Sequence, residues 1–172
     1  DRSSDVCSSD LAQSVDATLL LVGDGEQREE LEQMAANSGL DNVRFLGFLQ
    51  REELPEIYQA ADVFVLPSLQ DCWALVTGEA LASGLPVIDS IYNGGAEELV
   101  DEGENGWITD PLDHADLTSK LELAYHAHDR KPAMAALSRE KIAQMSVERV
   151  AQRIRDAIAQ VHTTPTKSTG EE

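Results

Sequence analysis

Two carboxylates, Asp71 and Glu79, stand with seven residues between them in the stretch DCWALVTGEALASGLPVI, residues 71–88. The apolar run before them, DVFVLPS, reads as a strand ending near Ser68, and the helix after it starts close to Trp73 or Ala74. Asp71 then lies in the connecting loop at the carboxyl edge of a sheet, where open α/β sheets bind ligands. The first N–H groups of a helix have no intrahelical partner and sit at the positive end of its dipole. That makes the amides of Trp73, Ala74, Leu75 and Val76 a candidate cradle for a phosphate or diphosphate. Glu79, about a turn and a half further in, can accept two hydrogen bonds side by side, as adjacent sugar hydroxyls donate them. Asp71, across the anion, is placed for hydroxyls of a second sugar. A diphosphate between two hydroxyl-bearing rings is the outline of a nucleotide sugar. The spacing fits equally a loop acid and a solvated helix acid, so spacing alone does not choose. Gly78, inside the helix, costs about 1 kcal/mol relative to alanine and calls for a close approach at that point.

Composition narrows the partners. The chain has 172 residues, 13 Lys plus Arg against 32 Asp plus Glu, a formal charge of -19 and 42% hydrophobic residues. These values fit one globular domain. So acidic a chain repels phosphate backbones and anionic lipid, which argues against nucleic-acid binding by bulk electrostatics, and an anionic ligand must be held locally. No apolar stretch approaches the ~20 residues of a transmembrane helix, and the amino end lacks the basic-then-apolar order of a secretory signal. The chain reads as cytoplasmic, with a peripheral place at the membrane left open for a longer parent. Cys7 and Cys72 supply neither a disulfide framework nor metal-ligand spacing, and His114, His126, His128 and His162 form no cluster with them, so no metal site is expected. The opening DRSSDVCSSDL, residues 1–11, has neither helical nor strand periodicity and resembles a translated sequencing adapter. It is set aside as a non-native leader.

From Ala17 onward, short apolar runs alternate with amphipathic stretches, the pattern of a parallel sheet covered on both faces. ATLLLVG, NVRFLGF, DVFVLPS, LPVIDS and GWITD read as strands. EQREELEQMAANSGL places Leu31, Met34, Ala35 and Ser38 on one helical stripe, with Gly39 as a left-handed stop. REELPEIYQAA turns Leu54, Ile57, Tyr58 and Ala61 inward, with Pro55 tolerated in its first turn. NGGAEELVDEGENG supplies a loop and a short helix. ADLTSKLELAY and SVERVAQRIRDAIAQV, the latter behind a Ser146 cap, read as covering helices. The organisation expected is a leader over 1–11, a nucleotide-sugar-binding domain over 12–161 and a disordered tail over 162–172.

Asp71, seven residues, then Glu79, followed by ALASGLPVI and NGGAEELVDEGENGW, resembles the donor-binding motif of retaining GT-B glycosyltransferases of the large family four. The stretch from LLLVGDGEQREEL to DVFVLPS is similar to the same family, and the match runs without a gap from about Ala17 to Ile108. The resemblance implies a doubly wound, Rossmann-like α/β domain, the C-terminal half of a GT-B fold. It implies a nucleoside-diphosphate sugar as substrate (UDP-, GDP- or ADP-linked), with Glu79 on the ribose, Asp71 on the transferred sugar and the amides of Trp73 to Val76 on the diphosphate. Phe48 and Leu49 are weaker candidates for the base. It implies transfer with retention of configuration, without a cofactor or required metal. The acceptor, a glycan, lipid or small molecule, would be held by an amino-terminal domain.

The departures are as definite as the matches. The family's first glutamate is Asp71 here, and its phenylalanine-glycine is Trp73 and Ala74. Gly23 and Gly25 begin a G-x-G-x-x-G pattern whose third position is Arg28, so a tight strand-to-helix turn is the better reading than a nicotinamide site. The family's further strand and helix, bearing an Arg and a Lys for the diphosphate, have no counterpart in this sequence. In the doubly wound plan that strand lies between ATLLLVG and DVFVLPS. The chain alone is therefore expected to be marginally stable, prone to aggregate through strand edges, and inactive as a transferase. A nucleotide-sugar epimerase or hydrolase of the same fold, and a non-catalytic binding module, are the alternatives.

Overall fold

The structure, a computed structural model, describes residues 17–163. The leader over 1–11, Cys7 and the tail from residue 164 onward lie outside the described residues. The elements are β1 (Leu19–Val22), α1 (Arg28–Asn37), β2 (Val43–Gly47), α2 (Leu54–Ala60), β3 (Phe64–Leu66), α3 (Leu75–Ser83) and β4 (Val87–Ser90). They continue with α4 (Ala96–Leu99), β5 (Gly106–Thr109), α5 (His114–His126), a 3-10 turn (His128–Arg130), α6 (Lys131–Ala143) and α7 (Val147–Thr163). Helix α7 thus takes in the first two residues of the expected tail.

All strand pairs are parallel, β1 with β2 and then β3 with β4 and β4 with β5. The single sheet expected from the sequence is split into a two-stranded sheet, β1-β2, and a three-stranded sheet, β3-β4-β5. The doubly wound plan calls for one more strand between β1 and β3; among the described residues, β1 and β3 exchange no ladder.

Alternation along the three-stranded sheet builds both faces. Val87 joins Ala80, Leu81, Leu85, Leu99 and Val100 in one core cluster, with Phe64 and Ile108 packed against it. The neighbouring positions Ile88 and Trp107 point to the other face, with Ala127 and Met134, against Val65, Leu117 and Leu121. Helix α3 buries Thr77, Ala80 and Leu81 and stops at Gly84, whose φ of 84° only glycine adopts without strain. Its last turn closes with Gly84 N donating to Leu81 O at 2.9 Å and Leu85 N to Ala80 O at 3.0 Å, a Schellman pattern.

Three helices differ from the sequence reading. KPAMAALSREKIA, unassigned from sequence, is α6, which lies along α3 and buries Met134 and Ser138; Ser138 Oγ donates to Leu85 O at 3.0 Å. A serine sits between Met134 and Ile142 on the face it turns inward, so no continuous apolar stripe announces it. On α1, Leu31 and Met34 are exposed, because β1 and β2 alone give that stripe too small a sheet to cover. On α7, Val147, Ile154 and Ile158 are exposed too, so that helix does not cover the core among the described residues.

Candidate functional site

Helix α3 begins one residue later than expected, with Ala74 as its N-cap in extended geometry and no side chain capping in the usual manner. The four amides of the expected cradle divide into two pairs. Trp73 N donates to Asp71 Oδ1 at 2.9 Å, and Ala74 N donates to Asn93 Oδ1 at 3.2 Å. Among the described residues, the amides of Leu75 and Val76 have no acceptor, and Leu75 is 74% exposed. The helix start therefore presents two open N–H groups to solvent, at the end where an anion is favoured.

Asp71 is held at the sheet edge by backbone bonds: Asp71 N donates to Tyr92 O at 3.2 Å and Gly94 N donates to Asp71 O at 3.0 Å. This lacing of the loop after β3 to the loop after β4 is tight. A Cβ on Gly94 would lie 2.7 Å from the Cys72 carbonyl oxygen, and one on Gly95 would lie 3.1 Å from the Trp73 ring. Only glycine lets the two loops approach so closely. Cys72 itself is free and exposed.

Glu79 is half-buried and turned toward α2, where the Tyr58 hydroxyl donates to Glu79 Oε2 at 3.2 Å. Burial, and then the adjacent Glu79 charge and its hydrogen bond, push the Tyr58 phenol up to about 12. One carboxylate oxygen is thereby oriented, leaving Oε1 without a partner among the described residues. Phe48, 71% exposed, and Leu49 follow the end of β2, and no hydrogen bond or ring contact among the described residues joins them to α3. The structure thus brings together Asp71, the amides from Trp73 to Val76 and the loop at Asn93; Glu79 faces α2, and Phe48 and Leu49 stand on the other sheet.

Gly78 has a packing reason. A Cβ there would meet Ile142 Cδ1 of α6 at 3.3 Å, so this glycine admits a neighbouring helix and says nothing of a ligand. Arg28, at the third position of the incomplete glycine pattern, is anchored to Glu32 at 2.9 Å in a tight strand-to-helix turn. A cavity of about 530 Å³ lies at the far end of α3, lined by Ser83, Gly84, Lys131 and Arg139 among others. Its cations are engaged, Lys131 by Asp62 at 2.5 Å and Arg139 by Ser83 O at 3.1 Å, so it is not the anion site.

What the sequence reading missed is a buried polar group beneath the helix start. Asp89 and Thr77 are 0% exposed and Asn93 3%. Asp89 Oδ2 accepts from Thr77 Oγ1 at 2.8 Å and from Asn93 Nδ2 at 2.9 Å. A carboxylate inside the apolar run LPVIDS was the available signal. Ser68 Oγ, two residues beyond β3, is buried without a partner. Among the described residues no helix is long and apolar enough to cross a membrane, and no group of three or more His, Cys, Asp or Glu could hold a metal ion.

The sequence and fold of this chain have counterparts in known proteins. The family described as glycosyl transferases group 1 matches residues 6–141, a match that begins inside the opening segment set aside above. The chain belongs to that family, and its fold is the Rossmann-like C-terminal half of a GT-B glycosyltransferase. It is 34% identical over 129 residues to the sulfoquinovosyl transferase of Arabidopsis thaliana, covering 73% of this chain and 24% of that protein. It is 34% identical over 151 residues to the D-inositol 3-phosphate glycosyltransferase of Corynebacterium urealyticum, covering 87% of this chain and 35% of that one. The crystal structure of Anabaena HepE in complex with UDP is 30% identical, with a TM-score of 0.75, over 90% of this chain and 44% of the other. The same protein is also solved with UDP-glucose. This chain spans between a quarter and a half of the length of these relatives.

Proposed function

We propose that this chain is the nucleotide-sugar-binding part of a retaining glycosyltransferase. The observation that carries the reading is the pair of open amides, Leu75 and Val76, at the start of α3, with acidic side chains before and within that helix. The Anabaena relative's complexes with UDP and UDP-glucose support a nucleoside-diphosphate sugar as the donor. In this scheme the open amides of Leu75 and Val76 take the diphosphate, while those of Trp73 and Ala74 stay with Asp71 and Asn93 and hold the helix start in place. Glu79 takes ribose hydroxyls through Oε1, Asp71 takes hydroxyls of the transferred sugar, and Phe48 or Leu49 rests against the base.

The chemistry is departure of a diphosphate from an anomeric carbon. Amides fixed where negative charge grows lower that barrier without reorganising, the principle of an oxyanion hole. Asp71 and Glu79 position rings and transfer no proton. No metal or organic cofactor enters the scheme. The acceptor, whether glycan, lipid or small molecule, is bound by a part of the enzyme other than this domain. Calorimetric titration with UDP, GDP and ADP tests the binding step, and saturable binding of one of them is expected. For the parent enzyme, proton NMR of the product should show the donor's anomeric configuration. An inverted product, or donor hydrolysis or epimerisation independent of acceptor, contradicts the assignment.

A further inference from the structure

The buried group beneath α3 touches no ligand in that scheme, yet two of its bonds, from Ala74 N and from Thr77 Oγ1, tie it to the first turn of that helix. Asn93 Oδ1 accepts from Ala74 N at 3.2 Å and from Gly95 N at 3.1 Å, while its Nδ2 donates to Asp89 Oδ2 at 2.9 Å. Asp89 also accepts from Thr77 Oγ1 at 2.8 Å and, through Oδ1, from Ser90 N at 2.8 Å. Ala74 is the N-cap of α3 and Thr77 its third residue, so the ties bracket Leu75 and Val76. We propose that Asn93 and Asp89 are positioning residues that fix the direction of the Leu75 and Val76 amides for a diphosphate. The inference rests on the reading of that helix start as a diphosphate site.

Apolar contacts would press α3 onto the sheet equally well. They are non-directional, however, and leave a helix free to roll about its axis and slide along it. Burying a carboxylate and a carboxamide is costly unless every polar atom is matched, and an apolar set of similar shape often stabilises as much. A directional network at this place therefore answers a need for orientation, which binding groups require to within a fraction of an ångström. The residue types agree. Position 93 must accept from two amides and donate to a carboxylate at once, which a carboxamide does and a carboxylate does not.

The test reads the affinity gained from phosphates, by titrating the chain with uridine, UMP and UDP, or the same series of whichever of UDP, GDP and ADP the wild type prefers. Asn93→Ala should lower the gain from nucleoside to diphosphate about tenfold and leave nucleoside affinity unchanged, the scale of one hydrogen bond to a charged group. The reciprocal swap, Asp89→Asn with Asn93→Asp, keeps one carboxylate, one carboxamide and the acceptor for Ala74 and Gly95, and should restore the gain to within about threefold. An unchanged gain in Asn93→Ala overturns the proposal, as does an equal loss for nucleoside and diphosphate. If Asn93→Ala does not fold, a folded swap decides alone: the wild-type gain supports the proposal and its loss overturns it. Absence of binding by the wild type to UDP, GDP and ADP overturns the site reading, and this inference with it.

Discussion

Glu79 and Tyr58 form a pair whose consequences separate by chemistry. The Tyr58 hydroxyl holds one carboxylate oxygen and leaves the other for ribose. Glu79→Gln should weaken UDP about tenfold and erase most of the preference for UDP over 2′-deoxy-UDP, measured by competition. Asp71→Asn keeps the oxygen that accepts from Trp73 N, so the loop stays intact. It should leave UDP binding unchanged and remove the extra affinity of UDP-glucose over UDP. The phenol also makes a prediction about stability. Its folded value, near 12, lies above its ordinary 10, so its contribution is complete below pH 10 and is lost as pH rises toward 12. Urea melts at pH 9 and pH 11 should show a larger loss of stability in the wild type than in Tyr58→Phe. At this scale the sequence exposed the acids and the helix start, because their argument is local. It did not expose Asn93, whose bond to Ala74 N joins two loops 19 residues apart. Nor did it give the direction of Glu79, which depends on a tyrosine from another helix.

Two glycines and one cap set the elements in place. Gly94 allows the loops after β3 and β4 to touch, and its neighbour there is a backbone carbonyl that cannot move aside alone. Gly94→Ala should cost about 1–3 kcal/mol of stability and disturb the helix start with it, seen as a lower melting temperature together with weaker UDP binding. Gly78 meets only the flexible end of Ile142. Gly78→Ala should therefore stabilise an Ile142→Val background by about 1 kcal/mol, the helix-propensity gain, and stabilise the wild type less; a double-mutant cycle measures the difference. At the start of α5, Asp113 accepts from the Ala115 and Asp116 amides. Asp116 accepts from Asp110 N at 2.9 Å and Thr109 Oγ1 at 2.8 Å, which hold its carboxyl below the ordinary range. A depressed carboxyl stabilises above its unfolded value and loses that contribution as pH falls through its folded one. The strands and most helices were legible because short apolar runs and apolar stripes at helical spacing are written in the order of the residues. Helix α6 was not, because Ser138, bonded to Leu85 O, interrupts the apolar face that Met134 and Ile142 turn inward.

For the molecule as a whole, an acidic chain that binds an anion must do so with fixed dipoles. A net charge of -19 gives no long-range attraction to a diphosphate, so binding to this domain should strengthen as salt rises toward physiological levels. Added salt would weaken it if a basic patch did the binding. The parallel sheets, β1-β2 and β3-β4-β5, share no ladder among the described residues, so each keeps strand edges of its own. Those edges are a template for another chain, and concentration-dependent association of this polypeptide is expected in sedimentation velocity.

Of the two open amides at the start of α3, one can be removed without breaking the helix. Leu75 is the first residue of α3, where proline is tolerated, and Ala74 before it already has the extended backbone, φ -69° and ψ 105°, that a following proline requires. Calorimetric titration of Leu75→Pro with UDP should give an affinity about tenfold below the wild type at an unchanged melting temperature. Undiminished affinity in a variant that has lost that N–H would contradict the claim that the start of α3 binds the diphosphate.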